Sequence, residues 1–164
     1  MGADRRRLDG PACRKVLAQG RWGTLCTASR DGAPYGVPLN YVFVPDEDAI
    51  YCHCAPVGRK LRNIAENPRV SFAVVGWEQL VPERFITNFA SVMVEGQARL
   101  VMDADEKRRA LLTLCGALAP GQPRRDAVIA RYLQSVAIIR IDILSITGRE
   151  NRDDQGLRAD DRCV

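Results

Sequence analysis

Asn67-Pro68 forces the middle of this chain to change conformation. The residue before a proline is pushed out of the helical region, so any helical spacing must stop there and another element must begin. Working back from that break, Arg59 to Glu66 reads as a short helix with Leu61 and Ile64 inward. Ala55 to Gly58 is a Pro/Gly connection, and Tyr51 to Cys54 is the end of a strand. Working forward, Arg69 to Gly76 has the β-branched composition that pleated sheets favour. Gly58 allows close backbone approach, and Arg59 and Lys60 put two cations on a helical turn where the dipole already favours negative charge. A bound anion resolves that conflict. His53, the only histidine, lies just before the turn, and a strand end and the next helix start open into a common crevice.

The flanking chain reads mostly as strands joined by turns. Leu8 to Gly20 is an amphipathic helix after the turn signal Asp9-Gly10-Pro11. Asp31-Gly32 marks a hairpin, so Thr24 to Ala28 pairs with Pro34 to Val44. A turn at Pro45 to Asp48 returns the chain to Ala49 to Cys54, which completes a meander. Trp77 to Asn88 reads as an irregular excursion, followed by a strand over Phe89 to Met102. Asp103 to Ala117 is helical, with Asp103 as cap and Glu106 completing a capping-box-like pattern. A shorter helix, Arg125 to Gln134, leads to a last strand, Val136 to Ile146, ended by Gly148. About six strands with helices at the periphery fit a small antiparallel barrel better than a parallel sheet. The domain spans residues 1–149, and the charged stretch 150–164 is expected to be a mobile tail.

Composition removes several classes. A formal charge of +4 on 164 residues, with no basic stripe interleaved with aromatics, gives no nucleic-acid groove. No apolar run approaches the roughly 18 residues of a membrane span, and the N-terminal arginines precede no hydrophobic segment, so a cytoplasmic protein is expected. Six irregularly spaced cysteines read as reduced thiols. In an extended strand Cys52 and Cys54 share one face while His53 takes the other, so no metal site is expected there. One histidine also argues against a serine triad.

Four blocks add a resemblance: VPLNYVF at 37–43, HCAPVGRKL at 53–61, NPRVSFAVVG at 67–76 and ASVMVEGQARLV at 90–101. In order and spacing they resemble the FMN-binding split β-barrel superfamily of pyridoxamine 5′-phosphate oxidase, and within it they are most similar to the nitroimidazole-resistance (Nim-type) flavoproteins. The resemblance covers most of the chain. It implies a mainly β fold, a six-stranded antiparallel split barrel, and a homodimer with FMN at the subunit interface. It places Arg59 and Lys60 on the phosphate, with His53, Cys54 and Gly58 beside it. Cys54 stands where the oxidase favours a threonine. The resemblance further implies that Val37, Pro38, Leu39, Asn40 and Tyr41 form the ring-side strand, and that Asn88, Ser91 and Val92 come from the second subunit.

The implied chemistry is electron or hydride transfer from reduced flavin to a small acceptor such as a nitroimidazole or nitroaromatic compound. His53 is the candidate catalytic residue. The chain stops soon after Gly148, without the C-terminal extension with which the true oxidase binds pyridoxamine phosphate, so that activity is not expected. The alternative is a non-catalytic split-barrel protein that binds flavin or, through His53, haem.

Overall fold

The computed structural model describes residues 6–152. In chain order the elements are β1 (Arg7–Leu8), α1 (Gly10–Gln19), β2 (Trp22–Ala28), β3 (Pro34–Val44), β4 (Ala49–Cys54), α2 (Arg59–Glu66), β5 (Arg69–Val81), β6 (Ile86–Leu100), α3 (Ala104–Leu118), α4 (Arg125–Tyr132) and β7 (Ala137–Asn151). The strands pair antiparallel in the order β1-β7-β4-β3-β2-β5-β6, and β6 pairs back onto β7 to close the ring. β7 is shared along its length: β4 borders it from Ala137 to Asp142, and β1 borders it at Gly148 and Arg149. That division is the split in the barrel.

The expected six strands are seven. Six make the closed ring; the seventh, β1, is a two-residue addition, too short for any alternation to reveal it. Two boundaries also differ. The stretch from Trp77 to Asn88 is a hairpin arm rather than an irregular excursion: β5 runs on to Val81, a one-turn 3-10 segment spans Pro82–Arg84, and β6 returns from Ile86. The arm follows a bulge between Val75 and Trp77 and is mostly exposed on both faces, so it lacks the apolar alternation that marks a half-buried strand. Gly148 does not end β7, which continues to Asn151. A side chain at Gly148 would meet the Cys13 thiol at 2.7 Å, so this glycine lets α1 lie against the strand. Residues 150 and 151 of the expected tail therefore belong to the sheet, and residues 153–164, with Cys163, lie outside the described residues.

The barrel interior is filled by Leu25, Ile50, Phe72, Val74, Val92, Val94, Ile139 and Ile141. Tyr41 packs edge-on to Phe72, with ring centroids 5.2 Å apart, and donates its hydroxyl to the Leu17 carbonyl at 2.6 Å. Two helices add to this core. Helix α1 begins at Asp9, whose carboxylate accepts from the Ala12 amide at 2.8 Å, and buries Cys13, Val16 and Leu17. Helix α2 buries Leu61 and Ile64, and its Asn63 donates to the buried Thr27 hydroxyl at 2.9 Å. Where β7 bulges against β6, a side chain on Gly96 would lie 2.6 Å from the Asp142 carbonyl oxygen. Backbone there has nowhere to go, so Gly96→Ala is expected to cost about 1–3 kcal/mol, read as a lowered midpoint in urea unfolding.

A second apolar cluster lies outside the barrel, where Leu111, Leu114 and Ile129 of α3 and α4 cover Ala49, Tyr51 and Ile138. A polar network borders it. Arg140 donates to the Tyr51 hydroxyl and to Asp142, and Arg99 pairs with Glu106 at 2.7 Å on the first turn of α3. Burial, aided by the Glu47 hydrogen bond, pushes the Tyr51 phenol well above its usual range, so it stays a donor. The helices thus clothe one half of the barrel. Among the described residues no helix covers the outward side chains of β2, β5 and β6, where Trp22, Val75 and Met93 are 61%, 62% and 49% exposed.

Candidate functional site: a helix start beside an open strand edge

β4 and β3 pair only from Tyr41 to Val44, so Pro34 to Asn40 pair with β2 alone and leave their other edge open. Pro38, with no amide to donate, sits on this open stretch without breaking a ladder. Val37, Leu39 and Tyr41 turn inward to the core, while Pro38 faces out and the Asn40 amide side chain donates to the Arg21 carbonyl at 3.0 Å.

The Gly58 turn is tied to that edge. Gly58 has φ 141° and ψ 171°, a backbone conformation closed to residues with side chains, and it starts α2 with no side-chain cap. A Cβ built there would lie 3.9 Å from the Lys60 ammonium, which is folded back over the turn. The amides of Arg59 and Lys60 have no hydrogen-bond partner among the described residues. Arg59 reaches across to β3, with its guanidinium 4.9 Å from the Tyr35 ring centroid and donating to the Pro34 carbonyl at 3.4 Å. Burial pushes the Cys54 thiol up, and the neighbouring Lys60 ammonium, hydrogen-bonded to it, only partly offsets this. Free amides, a bare glycine and two cations thus converge beside unpaired strand backbone. Such a crevice can hold an anionic group and a polar ring edge.

Other predicted residues lie elsewhere. Pro38, Ser91 and Val92 line a 450 Å³ groove on the helix-free face, together with Trp22, Thr24, Ala73, Val75 and Met93. Ser91 also borders a 280 Å³ hollow with Arg7, Thr147 and Arg149. Asn88 is buried in the hairpin arm opposite Gln79. His53 points to neither place. Its neighbours Cys52 and Cys54 face the barrel interior, so His53 takes the outer face, where it borders a pocket between α3 and α4. Among the described residues no group of three or more His, Cys, Asp or Glu side chains could hold a metal ion. No helix among them is long and apolar enough to cross a membrane.

The groove was not read from the sequence, although one signal was available. Val75 and Met93 occupy outward positions of alternating strands, where a solvated face calls for polar residues. The pocket behind His53 depends on how α3 meets α4, and no periodicity within either helix specifies that.

Comparison with known proteins agrees with this architecture. A family model described as pyridoxamine 5′-phosphate oxidase matches residues 9–150. No curated protein matches the sequence. Among solved structures, a FAD-binding protein from Mesorhizobium loti is 27% identical, with TM-score 0.66 over 90% of this chain and 98% of its own. A candidate 5-nitroimidazole antibiotic resistance protein from Bacteroides thetaiotaomicron is 21% identical, with TM-score 0.69 over 90% of this chain and 92% of its own. A flavocytochrome from Azotobacter vinelandii, 20% identical, has TM-score 0.73 over 94% of this chain and 76% of its own. The last two share the fold.

Proposed function

The chain belongs to the pyridoxamine 5′-phosphate oxidase family, and on that footing we propose that it binds flavin mononucleotide as a homodimer and passes electrons from the reduced flavin to a small acceptor. The observation that carries this reading is the Gly58 turn, where the Lys60 ammonium overhangs backbone in a conformation that glycine alone adopts readily and the amides of Arg59 and Lys60 have no partner among the described residues. Those donors fit a phosphate. Arg59, held at Pro34 and Tyr35, keeps further guanidinium hydrogens for the same anion. The open edge from Pro34 to Asn40 fits the polar rim of a flavin ring through backbone groups.

Neither of the two hollows that Ser91 borders includes the Gly58 turn. A second copy laid on the helix-free face would cover Trp22, Val75 and Met93 and bring Asn88, Ser91 and Val92 towards its neighbour's flavin. In this reading one chain supplies the phosphate grip, and its partner closes the ring side and excludes water. Bound flavin supplies the redox chemistry, so the chain needs no nucleophile of its own. Nitroaromatic compounds are the acceptor class that the Nim-type resemblance favours. The FAD-binding relative supports a flavin, and FMN is the form that the resemblance of the Gly58 block favours.

The haem reading has one observation behind it, the unbonded His53 on an apolar pocket. That pocket, at 240 Å³, is too small to enclose a porphyrin. The absorbance spectrum of the purified protein tests both: flavin bands, with FMN as the species released on denaturation, are expected. A Soret band, or no chromophore after incubation with FMN, overturns the flavin reading. If flavin binds but reduced nicotinamide or dithionite drives no turnover of a nitro compound, the enzyme reading falls and the binding reading stands.

A further inference from the structure

The pocket behind His53 is built differently from the crevice at Gly58. Leu111 and Leu114 of α3 and Ile129 of α4 form its apolar wall, and Val128 and Tyr132, 46% and 47% exposed, stand among its lining. No charged side chain lines it. His53 brings the one imidazole of the chain to this wall, and that ring has no hydrogen-bond partner among the described residues. The hollow has room for several waters, yet ordered waters need two to four polar partners each, and this lining offers few. Leaving apolar surface wet costs about 25 cal/mol per Å².

From this we infer that the pocket binds a small uncharged aromatic compound of one or two fused rings, with a ring heteroatom hydrogen-bonded to His53. The volume suits one such ring system and excludes larger cofactors. A cation would surrender its hydration to a wall that returns no negative charge. His53 faces away from the barrel interior and from Cys54, so the site stands whether or not flavin occupies the Gly58 turn.

A single histidine makes the test direct, because the imidazole carbon-bound protons in an NMR spectrum of the full chain all belong to His53. Indole is the probe and benzylammonium the charged control. Indole is expected to shift the His53 resonances saturably, with a Kd on the order of a millimolar or tighter, while benzylammonium gives no saturable shift. Val128→Asp, on a half-exposed position, should weaken indole by at least about tenfold by placing a carboxylate beside the apolar ligand. Leu114→Phe, which fills the hollow from within, should give a similar loss in a chain whose circular dichroism is unchanged. No saturable shift up to the solubility of indole overturns the inference. So does undiminished affinity in Val128→Asp, which would put the indole elsewhere, for instance stacked on flavin.

Discussion

Lys60→Ala is expected to weaken FMN binding about ten- to a hundredfold, measured by fluorescence titration of the flavin-free protein. The ammonium lies over the Gly58 turn, and its side-chain partner is the Cys54 thiol, not a carboxylate. Removing it therefore takes away a phosphate cation without orphaning a buried countercharge. Fold stability should stay within about 0.5 kcal/mol of the parent, as for surface changes away from packed features. Lys60→Arg should recover part of the affinity, because charge is kept while reach changes. Unchanged affinity in Lys60→Ala would remove this residue, and with it the phosphate assignment of the turn. Cys54→Ser offers a contrast, since it restores a hydroxyl where the oxidase family favours threonine and should tighten binding slightly or leave it unchanged.

Val75→Asp is expected to raise the dimer dissociation constant at least about a hundredfold, because docking a second copy on this face would take the new carboxylate out of water unpaired. In the single chain Val75 is 62% exposed, so the substitution should leave the folded monomer intact. Sedimentation velocity at micromolar concentration should show a dimer for the parent chain and a monomer for the variant. Flavin affinity should drop with it, since the ring side of the pocket would lose its cover. A parent chain that sediments as a monomer with flavin tightly bound would sink the shared-site reading. A variant that keeps the parent's mass would move the interface to another face.

The helix α2 shows how far local chemistry reaches. Gly58 before it and Asn67-Pro68 after it bracket the residues Arg59–Glu66, and the structure has those bounds. Both limits are set by the chain itself, through glycine freedom at one end and proline sterics at the other. β2, β3 and β4 were legible for the same reason, since tight turns separate them, β2 and β3 as alternating runs and β4 as a short apolar run buried on both faces up to His53. The hairpin arm from Trp77 to Asn88 was not, because its ladder is formed by backbone groups while its side chains meet water on both sides. β1 exists through its pairing with the far end of β7, a contact between chain ends that no local window contains. For the site, the residues around Gly58 could be assembled from adjacency in the chain. The position of His53 is a matter of strand parity: consecutive residues of β4 face opposite sides, so His53 and Cys54, neighbours in sequence, serve different spaces.

Because Phe72, Leu25 and their neighbours fill the inside of the barrel, the Gly58 turn, the groove beside Trp22 and the pocket behind His53 all lie on its outer skin. On β2, β5 and β6 recognition and folding are thereby assigned to opposite faces of the same strands: inward residues keep the chain folded, while outward ones decide what it touches. Changes at Trp22, Thr24, Pro38 or Met93 should therefore alter what this face binds while leaving the packing inside the barrel untouched.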